Sequence, residues 1–222
     1  MERITIFCGS STGTEPIYIE QATLLGEILA EKNIQLIYGG AKVGLMGAVA
    51  NGALSKGGEV VGVIPDFLLK KELAHQGLTH LHIVETMHQR KTMMHELSDG
   101  FIALPGGFGT MEELFEIITW AQLGLHKKPI GLLNTAGFYN HLKRLLQQMT
   151  DSGFLKEINQ KMLLIDEDIS QLLEKMRSYK APLVGKWIQK VVTPCAPIRC
   201  CWKSSHISLN TRDAPKTVNW SR

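Results

Sequence analysis

Two groups of residues in this chain have types and spacing suited to chemistry. The first is the run Pro105-Gly106-Gly107-Phe108-Gly109-Thr110-Met111-Glu112-Glu113, between an apolar stretch at 100–104 and an apolar-periodic one at 114–123. Glycines at a strand-to-helix turn let backbone approach a ligand closely and leave the first helical amides without acceptors. Free amides and the positive end of the helix dipole make an anion site, most often for phosphate. A carboxylate, Glu113, in the first turn of that helix is the surprise. Two readings of it stand side by side. Thr110 and Glu113 have the spacing of a capping box. Glu113 also shares a helical face with Ile117 and Trp120, whereas Glu112 shares one with Glu116, so Glu113 turns inward as a catalytic carboxylate does.

The second group is Met87, Arg90, Met94 and Leu97, spaced 3, 4 and 3 on one helical face. Three are apolar and the fourth is arginine. A buried guanidinium needs an anionic partner, and its fork suits phosphate or carboxylate. A structural ion pair or a snorkelling side chain fits the same spacing. Lys91 follows directly, so two cations can converge on one site.

These groups need elements to position them, and β and α signals alternate along the chain. Strands are expected at 3–9, 35–38, 59–64, 82–84, 100–104, 130–133 and 163–165. Helices are expected at 17–31, 45–56, 87–97, 114–123, 138–149 and 168–177, with a polar stretch at 66–80. That alternation implies right-handed crossovers and an α/β fold around a parallel sheet. Ligands in such sheets bind beyond the carboxyl ends of the strands. Three of those ends carry small residues: Gly9-Ser10-Ser11, Gly39-Gly40 and Pro105-Gly106-Gly107. None is a dinucleotide fingerprint or a P-loop, because the third glycine and the Gly-Lys-Ser/Thr triplet are both missing.

Composition narrows the class. A hydrophobic content of 44% with 20% charged residues is ordinary for a globular protein of 222 residues. No apolar run approaches the ~20 residues of a membrane span, and Glu2-Arg3 leads straight into a strand, so no signal peptide is expected and a cytoplasmic location is. The net charge of +3 is unevenly placed. Residues 183–222 hold seven basic residues against one acidic, hence +6, which leaves −3 for residues 1–182. An acidic body argues against a nucleic-acid surface. Cys8 is the one cysteine of the body and reads as a small core residue. Cys195, Cys200, Cys201 and His206 lack the paired spacing of a zinc site. From 188 onward the chain shows no periodicity and reads as a basic, disordered tail.

The segments Phe7-Cys8-Gly9-Ser10-Ser11, Tyr38-Gly39-Gly40, Gly44-Leu45-Met46-Gly47, Met87-His88-Gln89-Arg90-Lys91 and Pro105-Gly106-Gly107-Phe108-Gly109-Thr110-Met111-Glu112-Glu113 occur in that order. Together they resemble the LONELY GUY family of cytokinin-activating phosphoribohydrolases, whose hallmark Pro-Gly-Gly-x-Gly-Thr-x-x-Glu is matched at every fixed position. The resemblance spans residues 4–187. Ala74-His75-Gln76-Gly77-Leu78-Thr79 is closer to bacterial members than to plant ones.

The resemblance implies a Rossmann-like three-layer fold over 1–187. It also implies hydrolysis of the N-glycosidic bond of an N6-prenylated AMP or of AMP itself, a homodimer, and no cofactor or metal. Carried over by matching motifs, Arg90 and Glu113 are catalytic. Ser10, Gly40, Glu72, Lys91, Gly106, Gly107, Phe108, Gly109, Thr110, Met111, Glu112 and Thr119 join them in binding substrate. Three other readings stay open. One is the lysine decarboxylase label attached to the family, for which no pyridoxal phosphate residue set is found. The others are a general AMP nucleosidase of purine salvage and a nucleotide-sensing module without catalysis.

Overall fold

A computed structural model describes residues 1–69 and 74–182. Strand β1 (Arg3–Phe7) leads to α1 (Pro16–Glu31), β2 (Gln35–Tyr38) to α2 (Gly44–Ser55), and β3 (Val60–Pro65) to the single turn α3 (Asp66–Leu69). Then come β4 (His80–Val84), α4 (Met87–Leu97), β5 (Gly100–Ala103), α5 (Phe108–Gln122) and β6 (Ile130–Leu133). A 3-10 turn (Thr135–Gly137), α6 (Asn140–Asp151), the short α7 (Glu157–Gln160), β7 (Leu163–Asp166) and α8 (Ile169–Ser178) close the described chain.

The strands form one sheet in the order β4-β3-β2-β1-β5-β6-β7, and every neighbouring pair is parallel. Helices cover both faces, so the inner strands read as continuous apolar runs rather than as alternation. Ile4, Ile6 and Leu36 pack with Leu25 and Leu29 of α1, Val49 of α2 and Leu172 of α8. Phe7, Ile37 and Phe101 face the other way, toward Met94 of α4 and Leu114 and Ile117 of α5.

Strand order runs outward from β1 in both directions. The connection after β1 therefore leaves on one face of the sheet and that after β5 on the opposite face. A crevice opens between them, where ligands sit in sheets of this kind. It is held tightly: Gly9 N–H donates to the Pro105 carbonyl at 3.1 Å, Leu104 N–H to Phe7 at 2.9 Å, and Leu45 N–H to Gly9 at 3.1 Å. The last bond ties the start of α2 to the loop after β1.

Most expected elements are present within one or two residues, and β2, α4 and β6 match at both ends. The helix expected from 114 differs: α5 begins six residues earlier, at Phe108, with Gly107 as its cap. Thr110 is thus its third residue and Glu113 its sixth. The capping box expected at Thr110–Glu113 is absent, and so is an acidic residue in the first turn. A capping box occurs instead on α4, where Thr86 accepts from Gln89 N–H and the Gln89 side chain accepts from Thr86 N–H. Glu72 and the tail from 183, including Cys195, Cys200, Cys201 and His206, lie outside the described residues.

Candidate active site

A cavity of about 260 Å3 opens at the crevice. Its walls come from five segments. The end of β1 and its loop supply Ile6, Cys8, Gly9 and Ser10, and the end of β2 supplies Gly39. Met46 comes from α2, Met87 and Arg90 from α4, and Gly107, Phe108, Gly109, Thr110, Glu112 and Glu113 from the start of α5.

Helix α5 makes the polar end. Its first intrahelical bond runs from Met111 N–H to the Gly107 carbonyl, so the amides of Phe108, Gly109 and Thr110 have no acceptor within the helix. Thr110 is only 3% exposed. A Cβ at Gly106 would overlap Thr110 Oγ1 and crowd Gly9 N, so that glycine lets the threonine settle against the β1 loop. Three amides without helical acceptors on a 15-residue helix, with a nearly buried hydroxyl at the cavity wall, have the geometry that suits an anion.

Beyond it lies a charged pair. Arg90 Nη2 stands 3.5 Å from Glu113 Oε1, and both side chains are nearly buried. Arg90 also donates from Nε to the Val63 carbonyl at 3.2 Å, and Nη1 reaches Met87 Sδ at 3.9 Å. Burial raises the Glu113 carboxyl above its ordinary value, and Arg90 works against that rise. Cys8 is also raised, by burial and then by Glu113, so it is an uncharged wall of the site. The site therefore offers an anion cradle at one end and a desolvated carboxylate, steadied by a guanidinium, at the other.

The structure brings together Ser10, Arg90, Gly107, Phe108, Gly109, Thr110, Glu112 and Glu113, and leaves five expected contacts outside the cavity wall. Lys91 is turned away: its Nζ pairs with Glu112 at 2.5 Å and Glu116 at 3.1 Å. Burial opposes its charge, but hydrogen bonds to these two glutamates prevail and hold it above its usual value. Gly40 has a φ of +75° and packs on Ile64, and its neighbour Gly39 takes the wall position. Gly106 packs against Thr110 and the Gly9 backbone rather than facing the cavity. Met111 packs on the α5 side of the sheet core. Thr119 is exposed further along α5, its hydroxyl on the Phe115 carbonyl at 2.7 Å. Among the described residues no group of three or more His, Cys, Asp or Glu could hold a metal ion. Nor is any helix among them long and apolar enough to cross a membrane.

Six wall residues were not among the expected contacts: Ile6, Cys8, Gly9, Gly39, Met46 and Met87. Strand ends beside the central crossover were the available signal, and Cys8 and Gly39 both stand there.

A family model described as "Possible lysine decarboxylase" matches residues 46–176. The chain is 44% identical over 179 residues to cytokinin riboside 5'-monophosphate phosphoribohydrolase LOG7 of Arabidopsis thaliana, covering 81% of this chain and 82% of that one. It is 47% identical over 176 residues to cytokinin riboside 5'-monophosphate phosphoribohydrolase of Rhodococcoides fascians, covering 79% and 89%. The chain belongs to the LONELY GUY family. Among solved structures, the molybdenum cofactor binding protein of Rippkaea orientalis superposes with a TM-score of 0.61 at 20% identity, over 79% of this chain and 95% of that one. At that identity the likeness describes the fold alone, and it agrees with the Rossmann-like sheet. LONELY GUY chains thus share a scaffold with proteins of other kinds, and function has to be argued from the site.

Proposed function

We propose that this protein hydrolyses the N-glycosidic bond of an adenosine 5′-monophosphate, N6-prenylated or plain, releasing the free base and ribose 5-phosphate. One observation carries the reading. A nearly buried carboxylate, Glu113, faces a guanidinium at 3.5 Å one helical turn beyond an anion cradle.

The phosphate sits on the amides of Phe108, Gly109 and Thr110 and on the Thr110 hydroxyl, with Ser10 at the rim. Held there, the nucleotide lays its sugar toward Glu113, and this fixed geometry supplies much of the rate. As the C1′–N9 bond lengthens, positive charge develops on the sugar. The Glu113 carboxylate stabilises that charge in a site with little water to screen it. It also orients a water, whose oxygen bonds to C1′. One proton of the water passes to the carboxylate and from there to the departing base. Arg90 keeps Glu113 ionised against the effect of burial. Glu112 lines the outer rim, and Lys91, Glu72 and Thr119 are contacts carried by the family resemblance.

Residues 1–187 form the catalytic domain, active as a homodimer in the cytoplasm, with 188–222 as a dispensable tail. Release of adenine from AMP, and of isopentenyladenine from its 5′-monophosphate, tests the reaction. Glu113→Gln preserves shape and removes the charge, so turnover is expected to fall about 10²- to 10⁴-fold with the fold intact. Near-normal turnover in that variant would overturn the assignment of Glu113. The ratio of the two substrates' rates separates cytokinin activation from purine salvage.

A further inference from the structure

We infer that the Phe108 ring is the platform on which the nucleotide's base docks, making this site prefer a nucleotide to its bare sugar phosphate. This rests on the nucleotide reading above. Phe108 is the first residue of α5 and lines the cavity mouth, yet the residue is 96% exposed. It is the one aromatic residue among the described cavity walls. Folding leaves this ring in water, so the gain from burying it remains available to a bound partner.

The surroundings favour movement of the ring over the opening. A Cβ at Gly107 or at Gly109 would meet nothing within 4 Å. The ring is thus flanked by two residues without side chains and by open space. Apolar neighbours, Met46 and Met87, line the same cavity, and methionine adapts its shape to flat partners and contacts aromatic rings favourably.

Size decides where a base must lie. The cavity's 260 Å3 falls below the ~300–1,000 Å3 usual for small-molecule sites. A nucleotide with its phosphate on the α5 amides and its sugar at Glu113 fills the floor, and its base projects to the rim. There the exposed phenyl face and the methionines await a flat apolar surface. Ribose 5-phosphate uses the cradle and the charged pair but has nothing to offer the ring.

The test uses the full chain carrying Glu113→Gln, so that AMP stays intact, with binding of AMP and of ribose 5-phosphate measured by calorimetry. Adding Phe108→Ala should weaken AMP about 5- to 150-fold, the range that one base stacked on an aromatic side chain provides. Ribose 5-phosphate affinity should stay unchanged, and Phe108→Trp should restore AMP binding. Equal losses for both ligands would overturn the inference, since the ring would then serve the phosphate end or the local fold. Unchanged AMP binding in Phe108→Ala would also overturn it while leaving the nucleotide reading intact. Failure of the parent to bind AMP at all would instead bring down the nucleotide reading, and this inference with it.

Discussion

A Cβ at position 39 would overlap Arg90 Nη2, so glycine there clears the space through which the guanidinium reaches Glu113. The obstructed atom is the tip of a flexible side chain, so Gly39→Ala should leave the fold standing and push Arg90 aside. Two effects are expected together. Misplacing a positioning group by about an ångström costs on the order of 10²-fold in rate, so kcat should fall by that order. The acidic limb of the pH profile should also move. Glu113 works ionised, and burial raises its folded value above the ordinary 4.5, so wild-type turnover should rise with pH through a midpoint above 4.5. Arg90 opposes that rise, hence Gly39→Ala should carry the midpoint higher still. A profile that stays in place while kcat drops would mean that Arg90 contacts substrate rather than tuning the carboxylate.

At the scale of elements, the turn after β6 stores strain. Ala136 has φ +50° and ψ +28°, inside the 3-10 turn that leads to α6, and Gly137 follows at φ +73°. A left-handed alanine costs about 1–2 kcal/mol, partly offset by the lower entropy it gives the unfolded chain. Ala136→Gly should therefore stabilise the protein by up to about 1 kcal/mol, or roughly 2–4 °C in Tm for a chain of this size. Thermal and urea unfolding would check it, and a lower Tm would show that the turn is not strained. Elements also show what the sequence made legible. Apolar runs such as 35–38 and 130–133 marked β2 and β6 to the residue, because strands buried on both faces carry an unbroken signal. The start of α5 was hidden because glycine and proline read as loop, although Gly107 here caps a helix and Gly106 makes room for its threonine. Thr86-Met87-His88-Gln89 spelled a capping box that went unread. Within the site, the hallmark run and Arg90 stood out by type and spacing. Cys8, Gly39 and Met46 meet there only because three strand-to-helix connections converge, and no local pattern announces that.

At the scale of the whole molecule, a chain ending at residue 192 should keep full turnover and its Tm, since the family match ends at residue 176 and residues 193–222 show no apolar periodicity with which to pack on a core. A loss of either would assign the basic tail a part in the fold. Acid stability should be governed far from the cavity, near the amino-terminal end of β5. There His95 stacks on Phe101 with ring centroids 5.7 Å apart, meets the edge of Trp120 at 5.1 Å and lies 5.1 Å from His126. Its buried Nε2 has no partner. Burial, then Lys128 and His126, push its value down to about 4. His126 accepts from Lys128 N–H at Nδ1 and donates from Nε2 to the Ile117 carbonyl, and burial lowers its value despite that second bond. In the unfolded chain these imidazoles take up protons near 6.5. Between about pH 6.5 and 4 the unfolded state thus binds protons that the folded state refuses, and stability falls as pH falls through that window. His95→Phe keeps the stack on Phe101, removes an unpaired nitrogen and removes one titrating group. Its Tm should exceed that of the wild type, by more at pH 5 than at pH 7, with turnover at pH 7 unchanged. Parallel Tm curves across that window would show that the acid sensitivity has its source elsewhere in the fold.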